Sequence, residues 1–279
     1  MDPFFSVITP LFNGEHFVRS YLESLIKQRF FDWEAIVVDD ESTDKSVDLL
    51  ISLTQSDERF RVVRNYPSNE VGLRKGPYRP RNHGLSMATG KYICFLDVDD
   101  YWLPSKLLDQ YNLLSDNPKL KLLFSNYCKA DSTLSLGYLK PRLNMIPIKT
   151  QSFMWNPIPN LTSCVSRDVA SMFRFKPIGH EDFLYWHEII LSLDASQIGM
   201  TDKVLAIYRT SAQSTSGNKL KILGWWVHCY RLMGHSFILA ILLLLVKVML
   251  EIVEYSSRAV GFMPTIQLIN LIDQDRRQH

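Results

Sequence analysis

Three carboxylates fall within four positions at Asp97, Asp99 and Asp100, directly after the apolar run Tyr92-Ile93-Cys94-Phe95-Leu96. Crowded carboxylates repel one another, and a shared cation is the usual relief. A hard divalent ion held by one or two carboxylates, its shell completed by phosphate oxygens, fits this grouping. A second acidic pair, Glu181-Asp182, precedes an otherwise apolar stretch carrying Phe183, Leu184, Trp186, Ile189, Ile190 and Leu193. A carboxylate held partly out of water there could take a proton from a reacting hydroxyl. A third pair, Asp39-Asp40, closes the apolar run 33–38 and suits the N–H of a base or a sugar hydroxyl. Each grouping also has a plainer reading as capping. Pro104 can open a helix after a solvated acidic turn, Ser42-Thr43-Asp44 can cap one, and acidic residues in a first turn favour the helix dipole.

The elements that must position these groups follow from periodicity. Residues 92–96 are apolar without alternation, which predicts a strand buried on both faces of a mostly parallel sheet. Ligands of such sheets bind beyond the carboxyl ends of the strands, where Asp97, Asp99 and Asp100 would stand. Strands are also predicted at 4–9, 33–38 and 60–64. Between them, Phe17, Val18, Tyr21, Leu22, Leu25 and Ile26 recur at helical spacing, and Val47, Leu50, Ile51 and Leu53 mark a helix capped by residues 42–44. This β-α-β-α-β alternation means parallel strands with right-handed crossovers. Further on, helices are expected at 82–89, 106–114 and from Phe183, and strands at 120–127, 161–166 and 204–208. Residues 129–160 contain Gly137, Pro141, Pro147, Pro157 and Pro159, which break any period and suggest hairpins or a flap.

Composition narrows the function. The chain has 279 residues, 46% apolar and 22% charged, enough for one large domain or two fused pieces. A net charge of +2 lacks the basic excess of a nucleic-acid binder. Cys94, Cys128, Cys164 and Cys229 stand singly, without CxxC spacing, as free thiols of a reducing compartment would. A core strand so soon after Met1 leaves no room for a secretory signal. The first strand-to-helix turn reads Pro10-Leu11-Phe12-Asn13-Gly14, not GxGxxG, and GxxxxGK[ST] is absent, which removes the main signatures of dinucleotide and P-loop binding. Arg74, Lys75, Arg79 and Arg81 lie in the loop before the acidic strand end, a positive field that would suit an anionic donor.

The last sixty residues differ in character. Lys219, Lys221 and Arg231 mix with Trp225, Trp226 and Tyr230, a blend found at membrane interfaces. Residues 237–246 are uninterruptedly apolar, too short a run to span a bilayer of about 20 residues' thickness. Drawn as a helix, Ser236, Ala240, Leu243, Lys247, Glu251 and Glu254 form one stripe and the rest is apolar. Such a helix packs on the domain, lies in a membrane surface, or pairs with another copy.

Four stretches in order carry a family resemblance: Ser6-Val7-Ile8-Thr9-Pro10-Leu11-Phe12-Asn13, Val37-Val38-Asp39-Asp40-Glu41-Ser42-Thr43-Asp44, Arg81-Asn82-His83-Gly84, and Gly90 through Asp100. The chain resembles family 2 glycosyltransferases of the GT-A fold, of the bacterial polysaccharide-building kind. The match is strong over residues 4–115 and weaker through Glu181-Asp182 and Tyr208-Arg209. The resemblance implies an α/β fold with a Rossmann-like, mostly parallel central sheet, helices on both faces and a helical tail. Residues 1–217 would be the GT-A domain, with a nucleotide-sugar half at 1–104 and an acceptor half at 105–217, and 218–279 the tail. Thr9, Pro10 and Asp40 would line the nucleoside pocket, with Asp39 beside them. Asp97 would face the ribose or diphosphate, Asp99 would bind Mn2+ or Mg2+, and Arg81 would help fix the donor. Asp182 would be the general base, with Glu181 one position away as the alternative.

The implied reaction is inverting transfer from a nucleotide sugar, a UDP sugar in most similar proteins, to a glycan or lipid-linked hydroxyl. It would take place in the cytoplasm, at or near the inner face of the membrane. One departure concerns Ser211, where many relatives place a histidine, so no imidazole is assigned to the metal. The rival enzyme class, a sugar nucleotidyltransferase, needs a Gly-rich basic loop that 10–14 does not supply. A non-catalytic, membrane-associated subunit of a polysaccharide assembly would not need Asp99 and Asp182.

Overall fold

The protein is described here from a computed structural model covering residues 2–65, 76–131, 134, 136–139, 146–210, 219–259 and 265–267. Arg74 and Lys75 of the basic loop, Pro141 of the expected flap and Ser211 lie outside these residues.

The first hundred residues alternate strand and helix. They give β1 (Phe5–Leu11), α1 (Val18–Ile26), β2 (Trp33–Asp39), α2 (Ser46–Thr54), β3 (Phe60–Arg64), α3 (Tyr78–Met87) and β4 (Tyr92–Phe95). These strands pair in parallel in the order β3-β2-β1-β4, so each strand delivers its carboxyl end to the same edge. Side chains alternate between two cores, as the pleat requires. Val7, Leu11, Ala35, Val37 and Cys94 meet α1 and α2 through Tyr21, Leu22 and Leu50. Ile8, Ile36, Val38, Ile93 and Phe95 face α3 on the other side through Tyr78 and Leu85. Helix α3 packs tightly on β1, since a Cβ at Gly84 would stand 2.5 Å from a methyl carbon of Ile8.

The remaining elements are β5 (Tyr101–Trp102), α4 (Lys106–Asp116), β6 (Leu122–Ala130), β7 (Leu136–Leu139), α5 (Ile148–Met154), β8 (Cys164–Ser166), α6 (Arg167–Ala170), α7 (Glu181–Ser192), β9 (Ile198–Arg209), α8 (Lys219–Leu232), α9 (Phe237–Ala259) and β10 (Thr265–Gln267). Here the sheet turns mixed. Strand β8 pairs antiparallel with β4 and β6, β7 joins β6 antiparallel, and β9 runs parallel to β6 while also pairing antiparallel with β5. Helix α7 covers the α3 face, burying Tyr185, Trp186, Ile189 and Ile190.

Several boundaries depart from the sequence reading. Helix α3 begins at Tyr78, ahead of the expected 82, because Pro80 falls in the first turn where an amide N–H has no helical partner. Residues 42–44 lie just ahead of α2, which starts at Ser46, and Asp44 Oδ1 caps it by accepting from Ser46 N at 3.0 Å. They tie two loops together: Asn13 N donates to Ser42 Oγ at 3.0 Å, Thr43 N donates to Asn13 Oδ1 at 2.8 Å, and Glu15 N donates to Asp44 Oδ2 at 3.0 Å. Part of the irregular stretch before residue 160 is helix α5. At the C-terminus α8 packs on α7, with Trp226, Cys229 and Tyr230 buried around Phe183. Among the described residues no helix is long and apolar enough to cross a membrane.

Candidate active site

The turn after β4 gathers Asp97, Asp99 and Asp100. Each can offer one oxygen to a common point, with those oxygens within 4.8 Å of one another. Burial and the Asp97 charge push the Asp99 carboxyl up to about 6. Asp100 is raised further, by burial and by both neighbours. Three carboxylates held this close, two of them resisting ionisation, form an oxygen donor set suited to a hard divalent cation. The cluster thus fits the metal implied by the sequence, and Asp100 joins Asp97 and Asp99 in it.

The wall opposite is Arg209. Strand β5 pairs with β9 so that Tyr101 faces Ile207 and Trp102 faces Ala206, a register that carries Arg209 alongside the acidic turn. The Arg209 backbone N–H donates to Asp100 Oδ1 at 3.1 Å, and its guanidinium donates to Ser20 Oγ at 2.9 Å. Its charge opposes the rise in both Asp99 and Asp100. Sequence reasoning matched Tyr208-Arg209 to the family but gave Arg209 no place in the site. Its contact with Asp100 spans 109 residues, and no local pattern signals such a pairing.

Arg81 joins the two acidic groups. Its Nη2 donates to both oxygens of Asp97, at 2.8 and 2.9 Å, and its Nη1 donates to Glu181 Oε1 at 2.8 Å. The guanidinium is buried, a cost to its charge, yet Asp97, Glu181 and Asp182 outweigh that and hold it more firmly protonated. Both Nη nitrogens donate to protein carboxylates, while the buried Nε has no partner among the described residues. The sequence reading expected Arg81 to help fix the donor.

The pair at the head of α7 divides into different environments. Glu181 is buried and locked to Arg81. Asp182 is half-buried, and its Oδ2 accepts from Asn156 Nδ2 at 2.8 Å. Burial raises both carboxyls, with Arg81 pulling the other way. His180, just ahead, takes a left-handed backbone at φ 55°, uncommon outside glycine and frequent where a chain is bent to present a functional group.

Beyond the strand ends on the other side, Asp40 Oδ1 accepts from Asn65 Nδ2 at 2.7 Å, and the Arg79 guanidinium stands 3.8 Å away. His83 Nδ1 lies 3.3 Å from Asn65 Oδ1. Asn65 escaped the sequence reading, since one Asn after a strand has no distinguishing pattern. Pro10 is half-buried at the end of β1. Asp39 is buried, and its Oδ1 accepts from Ser42 N at 3.1 Å, so it shapes the loop. Thr9 requires a correction. Its side chain shares the β1 face of Val7 and Leu11, and its Oγ1 lies 2.9 Å from the Tyr21 hydroxyl inside the core. The hydroxyl therefore cannot line a nucleoside pocket.

Comparison with known proteins places these groups in a family. The sequence model of Glycosyl transferase family 2 matches residues 6–179. The Escherichia coli protein WfgD, a UDP-Glc:alpha-D-GlcNAc-diphosphoundecaprenol beta-1,3-glucosyltransferase, is 30% identical over 222 residues, covering 79% of this chain and 82% of WfgD. Among solved structures, S. aureus TarS 1-349 in complex with UDP-GlcNAc superposes with a TM-score of 0.62 at 21% identity, covering 82% of this chain and 65% of that one. The mannosyltransferase PcManGT from Pyrobaculum calidifontis, in complex with GDP-Man and Mn2+, gives 0.63 at 16% identity over 85% of this chain and 66% of that one. At such identities the structural likeness carries the fold, which is that of GT-A glycosyltransferases.

Proposed function

The chain belongs to glycosyl transferase family 2, and from that premise we propose that it moves a sugar from a nucleotide diphosphate sugar, a UDP sugar first of all, to a hydroxyl of a glycan or lipid-linked acceptor in cell-surface polysaccharide synthesis. WfgD, named for UDP-glucose and a diphosphoundecaprenol acceptor, supports both halves of that reading. The observation that carries the mechanism is the Arg81 bridge. One guanidinium spans from Asp97 at the acidic turn to Glu181 at the head of α7, so the candidate cation site and the helix end that carries half-buried Asp182 are tied together.

In this reading Asp182 accepts the proton of the acceptor hydroxyl as its oxygen bonds to the anomeric carbon. The bond to the diphosphate oxygen breaks on the opposite face, the leaving group keeps the electron pair, and the configuration inverts. Asn156 orients Asp182, and partial burial raises its basicity toward the range a general base needs. A divalent ion, Mn2+ or Mg2+, held by Asp99 with Asp97 and Asp100, would supply positive charge for the departing diphosphate. Asp40 and Pro10 border the nucleoside, with Asn65 holding Asp40. Arg81 keeps Asp97 aimed, while Glu181 keeps Arg81 in place.

A sugar nucleotidyltransferase is disfavoured by the turn after β1, which offers no Gly-rich basic loop. A cytoplasmic site of action forms part of the proposal, since all four cysteines are free and buried. The test is release of UDP by purified protein from UDP-glucose or UDP-GlcNAc with Mn2+. Release that depends on Mn2+ and collapses in Asp99→Ala supports the reading, whereas no release from any nucleotide sugar contradicts it.

A further inference from the structure

We propose that the outward face of α9 docks on an anionic lipid bilayer, with the helix lying in the plane of the surface. The helix is mounted in reverse of an ordinary surface helix. Ala240 is fully buried, Leu243 and Leu244 pack beside it, and Lys247 lays its ammonium 4.2 Å from the centre of the Trp226 ring while pairing with Glu251. The stripe that carries Ala240 and Lys247 therefore meets the protein. Phe237, Ile238, Leu242, Leu245, Met249 and Val253 point away from it, with exposures from 53% to 75%. At about 100° per residue these six cover an arc of about 160° that holds no polar residue between positions 237 and 253. Exposed apolar surface this continuous marks an interaction site.

The width of the arc and its charge select the occupant. A second copy pairing as two helices needs a narrow seam, with polar flanks to set register and partner. This arc has neither, and lipid chains require neither. Lys221 and Arg231 on α8 are exposed, which complements anionic headgroups. With one side fastened to the protein and a charged pair in its length, α9 can lie on a bilayer but not cross it.

Helix α8 connects this face to the site. The Trp226 ring lies tilted 4.4 Å from the His180 ring and 4.8 Å from that of Phe183, and Cys229 Sγ donates to Gly179 O at 3.2 Å. The head of α7 is thus one helix removed from the surface. If the proposed base is Asp182, a hydroxyl carried on a lipid would arrive near it without leaving the membrane.

The experiment is co-sedimentation of the full chain with vesicles of phosphatidylethanolamine containing a minor share of phosphatidylglycerol. Binding is expected, weakened several-fold when phosphatidylcholine replaces phosphatidylglycerol or when salt is raised. The double variant Leu242→Gln/Met249→Gln should keep the parent's thermal midpoint and lose about tenfold or more in partitioning. Failure of the parent to bind, or equal binding by the folded variant, overturns the docking. So does a homodimer in light scattering that the variant dissolves while vesicles are not bound. Mn2+-linked UDP binding measured without vesicles reports on the transferase reading separately.

Discussion

Glu181 and Asp182 are adjacent, yet Arg81 and Asn156 give them different work. A carboxylate already bonded to a buried guanidinium is poorly placed to take a proton, and Asp182 carries no such bond. Asp182→Asn should therefore cut transfer by about 10²–10⁴-fold while nucleotide-sugar affinity stays within a few-fold. Glu181→Gln should instead weaken the Arg81 bridge, costing about 2 kcal/mol in urea denaturation with a smaller kinetic effect. If Glu181→Gln is inactive at parent stability and Asp182→Asn turns over normally, the roles are reversed. Asp99 permits a test by pH. Its folded value near 6 stands above that of an unfolded aspartate, so the metal-free protein binds more protons than the unfolded chain between about pH 4 and 6. Stability is lost as pH rises through that window. Metal-free Asp99→Asn should then exceed the parent by about 3 kcal/mol at pH 8, with the advantage gone below about pH 4. Thermal melts across that range check this, and a difference independent of pH would contradict it. The carboxylates themselves were legible, because their types are rare after an apolar strand and their order matches a family. Thr9 misled because a motif gives position along β1, while the pleat decides which face a side chain takes. Arg209 and Asn65 reach the site through sheet pairing and a strand-end turn, which leave no local mark in sequence.

At the scale of elements, α8 holds the tail to the catalytic half. Tyr230 donates to Met154 O on α5 and packs with Trp226 against Phe183. Trp226→Ala should lower stability by about 3–5 kcal/mol, measured by chemical denaturation, since it opens a cavity under α7 and strips the cover from Lys247. A chain cut after residue 218 should lose thermal stability and aggregate, because Phe183 and His180 become exposed. A melting point equal to that of the full chain would show α8 to be an ornament of the fold. Periodicity located the stripe on α9 correctly, and residues 237–259 are helical. It could not say which side meets protein, since an apolar arc and a polar stripe are equally periodic. The parallel strands were legible from unalternating apolar runs. The mixed half was less so, because β8 has three residues and β5 two, too few for any period to show.

For the whole molecule, the topology explains why the candidate groups gather at one edge. Four parallel strands in the order β3-β2-β1-β4 send Asp39-Asp40, Pro10 and Asp97 to one edge, and β9 returns through the antiparallel half to place Arg209 there. Helix α7, packed on the α3 face, brings Glu181 onto Arg81 and so holds its head, with Asp182, beside the acidic turn. The central claim is that this edge is a metal-dependent nucleotide-diphosphate site. Calorimetric titration of UDP into the full chain, with Mn2+ and then with chelator, tests it most directly. The parent should bind UDP at least about tenfold more tightly with Mn2+, and Asp99→Ala, still folded, should lose that difference. UDP affinity indifferent to Mn2+ in the parent, or unchanged metal linkage in Asp99→Ala, would contradict the account.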